Sequence, residues 1–238
     1  MSRLQTLGIK VFADGADLEG ILRLANDPQI SGFTTNPTLM RKAGVDDYEG
    51  FARKVLDHVT DRPISFEVFS DDFEEMRRQA RLIGSWGPNV YVKIPVTNTK
   101  GESSEELVRD LSAEGLRLNV TAILSLSQVR TVVGALESTQ GAVVSVFAGR
   151  IADTGRDPVP LMSEALKLTG DNPELELLWA SPREVLNVCQ AAAIGCDIIT
   201  VTHDLLAKIA GLGRELDDVS LDTVRMFHDD AASAGYLL

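Results

Sequence analysis

Short runs of alternating apolar and polar residues recur along the chain, and each is followed by a stretch whose apolar positions fall at helical spacing. Alternation over 9–14, 32–36, 64–69, 90–96, 116–124, 143–149, 175–181 and 198–202 predicts strands. Helical periodicity over 17–25, 45–59, 71–86, 104–114, 125–136, 158–168, 182–193 and 204–212 predicts the helices between them, with a further helix over 221–233. Ser104 and Ser125 stand where helix caps belong. Eight strand–helix units in 238 residues predict an α/β fold, a (β/α)8 TIM barrel as one domain over 1–238 with an extra C-terminal helix. A doubly wound open sheet shares the same alternation.

Side-chain parity separates the two. In the fourth run Val90, Val92, Ile94 and Val96 share one face and Lys93 lies on the other. Ile64, Phe66 and Val68 oppose Glu67; Leu116, Leu118 and Val120 oppose Arg117, Asn119 and Thr121; Ile9, Val11 and Ala13 oppose Asp14. One face is apolar throughout, and the other carries a polar residue near the strand's C-terminal end. In a barrel those second faces meet at the mouth. In an open sheet they would lie under helices, where unpaired charge costs several kcal/mol.

Composition narrows the class. Hydrophobic residues make up 44% and charged residues 24%, ordinary for a soluble globular chain and outside the disordered range. No apolar run nears ~18 residues, and the first residues lack the basic-then-apolar layout of a signal peptide, so a cytoplasmic protein without a membrane partner is expected. The net charge of −12 disfavours nucleic acid and anionic membranes, and obliges any anionic substrate to find a local basic pocket. Cys189 and Cys196 are too far apart for a C-x-x-C pair and read as two buried thiols. His58, His203 and His228 are scattered, so no metal site is expected; without a glycine-rich nucleotide loop, no cofactor is expected either.

Lys93 is the informative residue. A lysine among apolar walls is costly unless used, and such walls favour the free amine that forms an imine with a ketone or aldehyde. An ion pair with Asp14 or Glu67 that merely holds the barrel is the other reading. Two carboxylates beside an imine-forming lysine suit proton transfer; alone they would equally suit a glycosidase. Arg150 and Arg183, following the sixth and seventh strands, offer with Ser181 a phosphate site beside a helix expected to begin near Pro182; isolated surface arginines are the plain alternative. Acidic runs at Asp71-Asp72, Glu74-Glu75 and Glu105-Glu106 fall in first turns of helices, where they offset the helix dipole.

Five blocks then form a signature. Gly32-Phe33-Thr34-Thr35-Asn36-Pro37-Thr38-Leu39, Val92-Lys93-Ile94-Pro95, Leu118-Asn119-Val120-Thr121-Ala122, Ser145-Val146-Phe147-Ala148-Gly149-Arg150 and Ala180-Ser181-Pro182-Arg183 resemble, in order, segments of the transaldolase family. The resemblance implies a metal-free barrel enzyme that transfers a dihydroxyacetone unit from a ketose phosphate to an aldose phosphate. It implies Lys93 as the imine-forming residue, Asp14 as acid/base, and Glu67 with Thr121 positioning a water. Asn36, Asn119 and Ser145 would hold the dihydroxyacetone fragment, and Arg150, Ser181 and Arg183 the phosphate. Gly15 stands where a Thr or Ser commonly follows the aspartate. The family's fructose-6-phosphate aldolases, which release free dihydroxyacetone, typically carry Gln and Tyr where this chain has Glu67 and Phe147, so the transferase side is expected over the lyase; a barrel that only binds sugar phosphates has no use for the buried amine. The family's small members also imply a homo-oligomer, a pentamer or decamer.

Overall fold

A computed structural model describes residues 4–236. Eight parallel strands close into a barrel in chain order: β1 Lys10–Asp14, β2 Ile30–Thr34, β3 Ile64–Glu67, β4 Val90–Pro95, β5 Leu118–Ile123, β6 Ala142–Val146, β7 Leu175–Trp179 and β8 Ile198–Thr202. The fold is the expected (β/α)8 barrel, and the open sheet is excluded because β1 pairs with β8.

Among the described residues, eleven α-helices accompany the strands: α1 Leu18–Leu24, α2 Pro37–Lys42, α3 Tyr48–Leu56, α4 Phe73–Gly84, α5 Glu105–Ala113, α6 Leu126–Ala135, α7 Ala148–Ala152, α8 Val159–Thr169, α9 Leu186–Ala193, α10 His203–Ile209 and α11 Leu216–Ala234. Several begin later than expected because the residue preceding them is a cap. Asp17, Asp47 and Asp72 each accept the backbone N–H three residues on. Ser125 forms a full capping box with Gln128. Ser104 caps nothing; its hydroxyl donates to the Pro95 carbonyl at 2.5 Å. Helix α9 starts at Leu186, four residues beyond Pro182. The final helix begins at Leu216, well before the expected 221–233, and ends at Ala234. Its first turn holds Asp217 and Asp218, which offset the dipole but add nothing to an apolar pattern. Among the described residues no helix is long and apolar enough to cross a membrane.

Parity fills the barrel in two separate layers. Outward residues such as Val92, Ile94, Leu118, Val120, Trp179 and Val201 join the helices in one large core. Inward residues Phe12, Val143, Leu178, Ala180 and Ile198 form a second, smaller cluster. Gly32 is paired in register with Phe12, and a Cβ at Gly32 would come 2.6 Å from the Phe12 ring; the missing side chain is the space the ring occupies. Below this plug the interior is polar again, with Lys10 bonded to Glu176 at 2.5 Å and Arg117 over the Tyr91 ring. Above it lies the well that holds the site. Of the two cysteines, both free, Cys196 is buried and Cys189 only half-buried.

Candidate active site

All eleven residues singled out by the sequence line one cavity of about 530 Å³ at the C-terminal ends of the strands. The strand ladder sets its floor. Glu67, Lys93 and Asn119 are register neighbours on β3, β4 and β5, so their side chains stand side by side around the wall. Lys93 is 6% exposed. Its Nζ lies 3.1 Å from Glu67 Oε2 and donates to the Thr35 carbonyl at 2.9 Å. The purely apolar surroundings expected for this lysine are therefore absent. An ion pair exists, with Glu67, and in a site reached from solvent it does not exclude chemistry at the same nitrogen.

Asn119 and Ser145 are buried and bonded to one another. Ser145 Oγ donates to Asn119 Oδ1 at 2.6 Å, while Asn119 Nδ2 donates to Ser65 Oγ at 3.0 Å. Thr121 Oγ1 is buried and finds no hydrogen-bond partner among the described residues. A buried hydroxyl without a partner costs free energy unless a small polar molecule engages it. The residue after it, Ala122, has φ 62° at an irregularity in the β5–β6 register. The chain accepts left-handed strain there, as strands near functional sites often do.

Asp14 ends β1. Thr34 Oγ1 donates to its Oδ1 at 2.8 Å and meets Thr200 Oγ1 at 2.5 Å. Loss of hydration holds the Asp14 carboxyl above the ordinary aspartate range, outweighing Lys93 and Thr34, which favour the anion. Neither Thr34 nor Thr200 was assigned a role from sequence. Thr34 belongs to the 32–39 segment of the signature, and alternation over 198–202 places Thr200 inward. The space beside Asp14 is also explained: the ring of His203 packs over Gly15, where a Cβ would come 2.8 Å from Nε2. A larger residue after Asp14 would displace that imidazole, whose pKa burial lowers.

The rim departs furthest from expectation. Asn36 lies beyond β2 and caps α2, its Oδ1 accepting from Leu39 N at 3.0 Å. Phe147 is the N-cap of α7, so the run 143–149 is strand only to Val146. Arg150 thus sits within a short helix, its guanidinium 5.5 Å from the Phe147 ring centroid, and it has no carboxylate partner among the described residues. Arg183 is already engaged by Asp153, with Nε 3.0 Å from Oδ1 and a second contact from Nη2 to Oδ2; that guanidinium holds the Asp153 carboxyl below its usual range. Ser181 adopts φ 61°. Its carbonyl lies against Gly149, where a Cβ would be 1.6 Å away, so glycine alone lets α7 reach the end of β7.

A family model described as transaldolase/fructose-6-phosphate aldolase matches residues 11–236, and the chain belongs to that family. A "Probable transaldolase" of Dehalococcoides mccartyi is 35% identical over 84% of this chain and 90% of its own length. Another, from Methanococcus maripaludis, is 37% identical over 84% of this chain and 89% of its own. Among solved structures, dihydrodipicolinate synthase from Rhodopseudomonas palustris superposes with a TM-score of 0.55 at 14% identity, covering 94% of this chain and 80% of that one; this likeness concerns the barrel alone.

The raised pKa of Asp14 fixes a sign for stability. The native state holds this proton more tightly than the unfolded chain, so the contribution is fully present below the ordinary aspartate range and is lost as pH rises through the raised value. Wherever the carboxylate is ionised in the folded protein, its lost hydration is a net cost. Asp14→Asn is expected to raise the thermal midpoint at pH 7, by about 2–4 °C per kcal/mol recovered, with the advantage shrinking towards acid pH. Thermal unfolding of both proteins across pH tests this; an Asn variant less stable at pH 7 would contradict it.

Proposed function

We propose that this protein is a transaldolase, moving a dihydroxyacetone unit from a ketose phosphate to an aldose phosphate. The observation that carries the reading is the floor of the well: a buried lysine 3.1 Å from one carboxylate, with a second carboxylate in the same cavity whose proton affinity burial raises, as suits a group that takes up a proton and gives it back. Family membership and the names of the relatives support it. Lys93 Nζ, as the free amine, adds to the ketone carbon, and loss of water gives the imine. Glu67 and the unpartnered Thr121 hydroxyl handle that water. Asp14 takes the proton from the C4 hydroxyl, the C3–C4 bond breaks, and its electron pair is held as the enamine while the aldose leaves. The enamine carbon then attacks the acceptor aldehyde, Asp14 returns its proton to the new alkoxide, and hydrolysis of the imine frees the new ketose and Lys93. Asn36, Asn119 and Ser145 hold the three-carbon fragment. Phe147 brings no hydroxyl to protonate the enamine, which favours transfer over release of dihydroxyacetone.

Borohydride reduction with fructose 6-phosphate is expected to leave a three-carbon adduct on Lys93, detected by peptide mass spectrometry. Free dihydroxyacetone should form slowly until erythrose 4-phosphate is added, when sedoheptulose 7-phosphate appears. An adduct elsewhere defeats the mechanism; fast release without acceptor makes the protein a lyase.

Arg150, Ser181 and Arg183 bind the phosphate against a net charge of −12. Loss of one charge-assisted contact costs about 1.5–3 kcal/mol, so Arg150→Ala is expected to raise KM for fructose 6-phosphate roughly 10- to 150-fold and leave free fructose nearly unaffected. Equal weakening of both sugars would assign the arginine to structure.

We also propose a homo-oligomer built through α11. No residue of this 19-residue helix is buried, and Leu216, Val224 and Phe227 are 82%, 60% and 63% exposed, an apolar display suited to a second copy. Sedimentation should give a multiple of the chain mass, and Phe227→Asp should lower it. A monomer in the unaltered protein would overturn this.

A further inference from the structure

Glu67 is the last residue of β3, and its backbone has a problem its side chain does not reveal. Parallel strands bond alternately to their two neighbours. Phe66 pairs towards β4, and Val68 N–H reaches the Lys93 carbonyl at 3.0 Å. The N–H and C=O of Glu67 therefore face the β2 side. Beta2 has nothing to offer there: Thr35 N–H goes to the Ser65 carbonyl, and at Asn36 the chain turns into α2. Two buried backbone groups left open would cost about 1–3 kcal/mol each and free the strand end to move.

Tyr48, the first residue of α3, supplies both partners with one hydroxyl. Its Oη accepts from Glu67 N–H at 2.8 Å and donates to the Glu67 carbonyl at 2.8 Å. A phenol can do this because it is donor and acceptor at once. Burial pushes its pKa above the usual phenol range, so the proton is kept at any working pH. The ring is steadied from three sides by Phe69, Trp86 and Phe66, with centroids 5.4, 5.9 and 6.4 Å away.

We propose that Tyr48 is a positioning residue for the reaction: by closing the Glu67 peptide groups it fixes where the Glu67 carboxylate stands relative to Lys93 Nζ. Tyr48 does not line the cavity, so its influence on substrate runs through Glu67 alone. The inference rests on the reading of Lys93 and Glu67 given above.

Tyr48→Phe keeps the ring and removes only the hydroxyl. It is expected to lower kcat about 10- to 100-fold, the scale of a small misplacement of a reacting group, with KM for fructose 6-phosphate within about twofold. Activity is measured at a temperature where circular dichroism shows the variant folded. The rate of the borohydride-trapped adduct at Lys93 is then followed in Tyr48→Phe, Glu67→Gln and the double variant. If Tyr48 acts through Glu67, its loss costs much less once the carboxylate is gone; additive losses would overturn the proposal. A Tyr48→Phe protein that is folded and fully active, or one that cannot fold, would assign the hydroxyl to stability and equally overturn it. An unaltered protein that forms no Lys93 adduct would sink the parent reading instead, so the two failures are told apart.

Discussion

A cation in the wall of a closed barrel must be answered by groups the barrel itself provides, and the arrangement of the mouth follows from how Lys93 is answered. The barrel supplies a register neighbour, Glu67, and the open carbonyl of Thr35 at the end of β2. The pairing is fixed by backbone ladders rather than by flexible surface side chains. It stands apart in kind from Arg53–Glu49 or Arg78–Glu75, whose exposed charges contribute little. Lys93 is buried and Glu67 only half-buried, so removing Glu67 strands the lysine at a cost below the ~3–5 kcal/mol of a fully buried pair. Lys93 and Glu67 are thus bound to each other structurally as well as by any chemistry they share.

What was legible in the sequence was whatever a strand's two-residue period carries. Alternation over 90–96 and 116–124 puts Lys93, Asn119 and Thr121 inside, and the barrel places them there. What was not legible was shorter than a period or made across the fold. Helices α2 and α7 have six and five residues, too few for helical periodicity, so Asn36 and Phe147 read as strand when they are caps. The Thr34–Asp14 bond joins two strands, and Arg183–Asp153 joins a loop to α7; neither pairing exists until the barrel closes. His203 over Gly15 is of the same kind: the sequence showed a glycine in an unusual place, and only α10 showed what filled it.

Among the described residues, two that are not glycine, Ala122 and Ser181, hold left-handed backbone, and both line the cavity. Such conformations cost of order 1–3 kcal/mol each and persist where surroundings impose them. At Ser181 the imposing neighbour is visible: the Gly149 backbone, close enough to exclude even a methyl group. The rim is held by this contact between α7 and the segment that follows β7, so Arg150 and Ser181 keep their spacing without a shared strand.

The plug of Phe12, Val143, Leu178, Ala180 and Ile198 has a kinetic meaning beyond packing. It closes the barrel axis from below, so the axis offers no passage through to the other end of the barrel. Whatever enters must leave by the route it came, and a second molecule waits until the first has gone. In the two-sugar transfer proposed above, traffic would be ordered by architecture, and a product lingering at the rim would act as a stopper. Turnover then depends on how readily the mouth empties, as much as on events at the floor.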